Sequence, residues 1–473
     1  MLFDSEEEVV MGNSSCFRDF AKYSSLNVLG MIGLSCYILA DTFFIANGLG
    51  ANGLAALNLA IPIYSLVYGS GLMLGMGGAT RYAVSGGRDK SGKDTKNAEN
   101  TKNPLKVNNP APANNTKNRL TDVIFTNTIY AAAVLALIFI VTGMFLSGPI
   151  ARLLGADAEI FEMTKTYIHV VFLFSPAFIM NNILICFVRN DGAPKLVMFA
   201  MLMGSFFNIV FDYIFIFPLQ MGILGAVLAT GFSPVVGMLI LSLHLIRRKN
   251  RFHLVRTGPR FSIITSIFSL GLPTLVTELS SGIVIIVFNI IILGLEGNTG
   301  VAAYGVVANI SLVAASIYTG MAQGVQPLIS RAFGRGDQST IRQVLRYALV
   351  TVLALSCLIY AMVFIFTGPI VQAFNSESDP LLREIAINGM KLYFTAAFFM
   401  GFNTIISVFF TSVEKAAPAQ LISLLRGLFV IIPTAFIMSE LFGITGVWLA
   451  FPVTEMIVAA AGAGIYMGMK KQL

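Results

Sequence analysis

Apolar residues run through this chain in twelve stretches, and most charged residues fall between them. The stretches cover roughly 24–46, 54–80, 120–146, 160–188, 194–217, 222–246, 262–293, 300–330, 341–367, 384–412, 418–439 and 443–468. Each has the ~20 apolar residues a helix needs to cross a bilayer. The expected fold is therefore an all-α polytopic membrane protein of twelve transmembrane helices. An even number of crossings leaves both termini on one side.

Composition agrees. Hydrophobic residues make up 56% and charged residues 12% of the 473, against about a quarter charged in soluble domains. Mean hydropathy is +0.78. Residues 1–20 carry Asp4 and Glu6 to Glu8 with no basic opening, so they do not read as a signal peptide. Cys16, Cys36, Cys186 and Cys357 are far apart and indicate neither a disulfide framework nor a zinc site. His169 and His244, near helix ends, read as satisfied structural residues. No cofactor or resident metal is expected.

Basic residues orient the helices. The segment 81–119 holds nine Lys and Arg, 247–260 holds six and 331–346 holds four, whereas the opposite loops hold Arg152 and Arg383. Positive residues favour the cytoplasmic side, which puts both termini in the cytoplasm of a plasma-membrane protein. The net charge of +7 then follows from topology and calls for no nucleic-acid partner.

The two halves read as copies. Gly148-Pro149-Ile150 matches Gly368-Pro369-Ile370, Ala193-Pro194 matches Ala417-Pro418, and Gly222-Ile-Leu-Gly225 matches Gly443-Ile-Thr-Gly446. Thr80-Arg81 matches Ser330-Arg331 at an offset 30 residues larger than that of the Gly-Pro pair. The excess is a Lys/Asn/Pro-rich stretch at 90–118 with nothing apolar to bury, which reads as disordered. The expected organisation is an N-terminal segment 1–23, a first lobe 24–246 with a flexible insertion at 88–119, a linker 247–261, a second lobe 262–468 and a tail 469–473. Paired six-helix repeats commonly rock about a central cavity.

Acids stand deep within the apolar runs: Asp41 in Tyr37-Ile-Leu-Ala-Asp41-Thr-Phe-Phe, Asp212 in Asn208-Ile-Val-Phe-Asp212, and Glu278 in Thr277-Glu278-Leu-Ser. Ionisable groups within a span are expensive and mark ion or substrate paths. Asp41 and Asp212 each lie about 18 residues, roughly 27 Å, beyond the inner start of an outward-running helix. Equal depth permits one shared site. Burial disfavours the charged form of each, and two neighbouring carboxylates resist ionising together. Asn208 lies one turn before Asp212, so its amide is expected to bond that carboxylate. The Asp212 counterpart in the second half is Phe436, which confines ion coupling to the first lobe. Glu278 reads either as a substrate or second cation group, or as internal glue paired with Lys391 or Arg426; Glu455 is a weaker candidate of the same kind. Gly71-x3-Gly75 with Gly77-Gly78 lacks the Lys-Ser/Thr ending of a phosphate loop and suits close helix packing instead.

Ala40-Asp41-Thr-Phe-Phe-Ile-Ala-Asn-Gly-Leu-Gly50 with Gly53-Leu-Ala-Ala-Leu57 and Pro62, then Arg189-Asn-Asp-Gly192-Ala-Pro194, Asn208-x3-Asp212 and Gly222-x2-Gly225-Ala-x3-Ala229-Thr230, resemble the multidrug and toxic compound extrusion (MATE) family, in its prokaryotic DinF-like branch. The resemblance spans nearly all twelve helices. It implies two six-helix lobes in an inverted V and export of drugs or other organic cations in exchange for H+ or Na+. It also implies a cation-coupling site at Asp41 and Asp212, with Asn208 and Thr230 as polar partners. Tyr167 and one of Asn181 or Asn182 join them on the fourth helix, whose register no motif fixes. Substrate is expected at Glu278 and Asp41, with Na+ as the alternative ion at Asp41 and Asp212. The expected partners are small cationic or amphiphilic molecules and membrane lipids, with the protein a monomer. A lipid or lipid-linked oligosaccharide flippase of the same superfamily is the alternative function. No Ser/His/Asp or HExxH pattern suggests an enzyme.

Overall fold

The computed structural model describes residues 13–90, 119–374 and 379–469. The insertion expected at 88–119 falls, from 91 to 118, outside these residues. Among the described residues there are helices and loops and no strands. A chain in lipid must satisfy its backbone within each segment, and the helix does so.

Three long helices each contain a break. In α1 (Asn13–Lys90) it is Gly50, in α7 (Phe261–Arg335) Gly297, and in α12 (Ile431–Met469) Gly443, with φ of 67°, 62° and 57°. Only glycine takes that left-handed backbone without steric cost. The chain folds back at these points: Tyr37 and Tyr64, either side of Gly50, bring their hydroxyls to 2.8 Å. Phe288 and Tyr304, either side of Gly297, stack with ring centroids 5.6 Å apart. Each broken helix therefore holds two spans or the end of one and the whole of the next.

The remaining spans are α2 (Leu120–Leu153), α5 (Pro194–Ile216), α6 (Gly222–Ile246) and α8 (Gln338–Phe374), with three composite ones. In the fourth span, α3 (Phe161–Leu173) and α4 (Ser175–Asn190) meet at a 49° bend. The tenth joins α9 (Pro380–Tyr393) to α10 (Ala397–Ser412) through a short 3-10 turn. The eleventh runs from α11 (Ala416–Leu424) through a π-turn, Leu425–Phe429, into the start of α12. Eight apolar helices, the bent pair and the second limbs of the three broken helices make the twelve expected spans. The internal repeat is visible in the turns: Gly222 and Gly443, matched in sequence, share φ near +60°. Large side chains such as Phe145, Leu137 and Ile365 point out of the bundle, as a lipid-facing surface requires.

Helices outrun the apolar stretches because backbone hydrogen bonding continues into polar sequence. The first span begins at Asn13 rather than 24, so residues 13–23 are not a separate segment. Cys16, Phe20 and Tyr23 are buried against Tyr318, Ala332 and Val344 of the second lobe. The linker is also not free. Between Arg247 and Phe261 it lies along the first lobe, where the backbone N–H groups of His253, Val255 and Arg260 donate to Asp122 (2.9 Å), Thr126 (3.1 Å) and Asn127 (2.6 Å) on the first turns of α2. Phe252 is fully buried among Tyr82, Phe125 and Phe187.

Gly50, Gly222, Gly297 and Gly443 mark one face of the bundle, the hinge face. The linker and the start of α1 mark the other. Lobe-to-lobe hydrogen bonds among the described residues lie in the linker-side half. Ser35 bonds Ser316, Arg189 bonds Gln323, Asn190 and Thr80 meet Gln326, and Arg331 bonds Tyr23. At the linker face, Arg81 and Arg88 both pair with Glu414. Gly77 and Gly271 let the second and seventh spans touch backbone to backbone: a Cβ on Gly271 would overlap the Met73 carbonyl. The expected packing role of the Gly71–Gly78 run is borne out. Toward the hinge face no hydrogen bond between the lobes occurs among the described residues.

Candidate functional site

The first and fifth spans run side by side in parallel. A side chain on Gly30 would meet Met201, on Gly33 Leu202, and on Gly48 Ile216. These contacts hold a constant register of about 170 residues, which sets Asp41 level with residues 211–212. Asp41 also lies nine residues before Gly50 and Asp212 ten before Gly222, about 14 Å below the hinge face in both cases. The two acids thus share one depth and lie in each other's electrostatic field.

Both are removed from solvent, Asp41 at 7% exposure and Asp212 at 0%. Asp41 Oδ1 and both Asp212 oxygens have no hydrogen-bond partner. The bond expected from Asn208 to Asp212 is not formed: Asn208 Oδ1 and Nδ2 are unpartnered as well. One-turn spacing puts the two on one helix face, but their Cβ atoms are then about 5–6 Å apart, and two short side chains bridge that gap only by leaning together. Tyr167 on α3 is buried within the fields of Asp41 and Asp212, with the Thr230 hydroxyl beside its phenol. Thr230 itself donates to the Ala226 carbonyl at 3.2 Å. Asp41, Asp212, Asn208, Thr230 and Tyr167 therefore come together in the first lobe.

Asn181 and Asn182 sit elsewhere, lining a pocket nearer the linker face with Tyr37, Tyr64 and Tyr68. Asn182 Nδ2 donates to the Tyr68 carbonyl at 3.2 Å, while Asn181 Oδ1 is unpartnered. Tyr64 stacks on Tyr68 with centroids 5.7 Å apart. These tyrosines drew no attention in the sequence, although Tyr37 lies one turn from Asp41.

Glu278 faces the first lobe from the seventh span, against Gly69. It is half-buried, and its charge reaches Tyr37 and Tyr68. The pairings considered for it do not form. Lys391 lies over the Phe364 ring at 5.0 Å. Arg426, on the π-turn, pairs with Glu455 at 2.5 Å and donates to Thr404 at 3.0 Å. Asn403 donates to the other Glu455 oxygen at 2.7 Å, so Glu455 is a neutralised structural charge. His169 and His244 are satisfied as expected, by the Gly143 carbonyl (2.8 Å) and Asp191 (2.9 Å). Among the described residues no cluster of three metal-binding side chains occurs.

The second lobe thus neutralises its buried Glu455 with Arg426, and the first leaves the oxygens of two buried acids without partners. Such a site can take up and release a small cation.

A family model described as MatE matches residues 114–214 and 273–437. Multidrug export protein MepA of Staphylococcus saprophyticus is 26% identical over 462 residues, covering 97% of this chain and 95% of that protein. Among solved structures, a MATE in complex with MaL6 superposes with a TM-score of 0.85 at 23% identity, over 96% of this chain and 97% of the other. The outward-facing conformation of a multidrug resistance MATE family transporter of the MOP superfamily gives 0.83 at 22% identity, over 99% and 100%. These superpositions establish a shared twelve-helix fold.

Proposed function

Because the chain belongs to the MatE family of membrane transporters and is no enzyme, we propose that it exports small cationic or amphiphilic organic molecules by alternating access, in exchange for H+ taken up at Asp41 and Asp212. The observation that carries this is the orphaned carboxylate pair, buried at one depth in the first lobe. The linker face is cytoplasmic in this reading, on the strength of its basic residues. The lobes are then closed toward the cytoplasm and open outward.

With the lobes open outward, protons reach Asp41 and Asp212. Neutralising them weakens the field around Tyr37 and Tyr167 and releases a cationic substrate. Opposite closure exposes the pair to the cytoplasm, where proton loss restores the negative field. Glu278, packed against Gly69 of the first lobe and without a counter-charge among the described residues, contributes a second attraction for the substrate. Aromatic and thioether side chains around it suit varied ligands. Na+ is the second reading, favoured by the open oxygens of Asp212 and Asn208, a hard-cation donor set. A flippase for a pyrophosphate-linked lipid would want basic groups where this chain places acids.

The test is efflux of a fluorescent cationic dye from reconstituted vesicles under an imposed pH or Na+ gradient, for wild type, Asp41→Asn and Asp212→Asn. We expect pH-driven dye movement that both substitutions abolish. Gradient-driven export unimpaired in both variants would refute the site, and movement driven by Na+ alone would change the ion.

A further inference from the structure

Beneath the carboxylates the first lobe holds a pocket whose polar lining descends from Tyr37 through Tyr64, Tyr68, Asn181 and Asn182 to Gln323 of the second lobe. Its upper end lies one helical turn from Asp41. At its floor Gln323 Oε1 accepts from Arg189 Nη1 at 2.7 Å. Past that arginine the polar residues continue toward the linker face: Asn190, Gln326, Thr80 and Ser330 form a bonded layer, followed by Tyr23 with Arg331 and by Arg81 with Glu414. A file of polar groups therefore runs from beneath the ion site to the linker face, its lower part along the closed seam between the lobes. Hydroxyl groups and entering water give such a file the means to relay protons, so tight coupling needs a barrier within it.

Arg189 is placed to interrupt it. Its side chain is 0% exposed, and no carboxylate pairs with it among the described residues. Its partners are neutral: Asn27 Oδ1 at 2.8 Å, Gln323, Met76 Sδ at 3.6 Å and Cys186 Sγ at 3.5 Å, with Nε unpartnered. A buried charge without a counter-charge is costly, and this chain neutralises two other largely buried arginines, Arg81 with Glu414 and Arg426 with Glu455. An un-neutralised guanidinium projects its full field into the pocket, and a fixed positive charge in a narrow polar passage bars protons and cations.

We propose that Arg189 is the electrostatic plug of this pathway, blocking passage of the coupling ion from Asp41 to the cytoplasm while the lobes are closed on that side, and so keeping transport coupled. This rests on the proposed proton uptake at Asp41.

The experiment measures proton entry into vesicles holding the purified protein and an internal pH dye, with external acid, clamped voltage and no substrate. Arg189→Gln is expected to admit protons about tenfold faster than wild type, a barrier change of about 1.4 kcal/mol, while an enclosed cationic dye stays trapped. Arg189→Lys keeps the charge and should stay tight. Asp41→Asn added to Arg189→Gln should close the leak again. Met76→Glu sets a carboxylate beside the intact guanidinium and should also leak. It separates loss of field from loss of the side chain if Arg189→Gln folds poorly. Tight Arg189→Gln and Met76→Glu vesicles beside a wild type that still drives dye with a pH gradient would overturn the plug alone. Leaks of both protons and dye in Arg189→Gln and Arg189→Lys alike would overturn it too, since they would mean splayed lobes. A wild type indifferent to the pH gradient would instead overturn the reading beneath it.

Discussion

Glu414 ties the lobes together at the linker face by bridging two arginines of the other lobe, and Glu414→Gln should shift the balance between the two openings of the transporter. Arg81 is 9% and Glu414 16% exposed in their side chains, so their pair is largely dry, while Arg88 at 39% is half in water. Removing one partner from a fully buried pair costs about 3–5 kcal/mol, and exposed pairs give about 0–1 kcal/mol. The intermediate burial here suggests about 2 kcal/mol. In an inward-open state the lobes part at this face and both groups hydrate, so the loss falls on the closed state rather than on folding. That moves the equilibrium roughly 30-fold toward inward-open. Pulsed electron resonance between spin labels at Arg247 and Arg342, exposed ends of the two lobes, would read it in a cysteine-free background. A long-distance population absent or minor in wild type should become substantial. Distance distributions unchanged by Glu414→Gln would refute the reasoning, because the pair would then contribute nothing to closure.

Gly271→Val places methyl groups where the Met73 carbonyl sits; overpacking of that kind costs about 1–3 kcal/mol, and the same label pair should report lobes forced apart. Asp122→Ala removes the acceptor of the His253 N–H and loosens the linker; a loss of about 1 kcal/mol raises the detached fraction about fivefold, read as faster tryptic cleavage at Arg251 and Arg256. Asp337 lies in the turn before α8; partial burial opposes its ionisation, but hydrogen bonds from Thr340 and Ser339 and the nearby Arg335 outweigh it and hold the carboxyl below its ordinary 3.8. Its stabilisation is therefore complete above that ordinary value and lost as pH falls through the lower folded one, so wild type should melt above Asp337→Ala at neutral pH and the gap should close in acid.

Twelve spans were legible because lipid demands long apolar runs, and the hinges follow from glycines placed between them. Asp41, Asp212 and Glu278 stood out for the reason that makes them costly: a charge in an apolar run is conspicuous in one dimension. Tyr37, Tyr64 and Tyr68 were not conspicuous, since tyrosine counts among the hydrophobic residues and its hydroxyl declares itself only beside a partner. Arg189 sits at the end of its helix, in a stretch that reads as a loop boundary, and only the packing of Asn27 and Gln323 around it reveals a buried charge. The pairing of Arg426 with Glu455 crosses helices and leaves no local trace. The Asn208–Asp212 bond failed because helical spacing fixes which face two residues share and not the rotamers they adopt. The fold-back of residues 13–23 onto the opposite lobe is a long-range contact that no apolar run encodes.

The turns at Gly50, Gly297 and Gly443 have a consequence for anyone wishing to grip the molecule from outside. Each reverses the chain within a helix, and the connections at 154–160 and 217–221 are short. Among the described residues the hinge face thus offers few protruding epitopes to an antibody, a phage or a protease, and little room to insert a tag without prying two helices apart. A ligand selected against that face would gain most by reaching between the lobes on that side, which would hold them in one arrangement. Recognition and inhibition would then coincide.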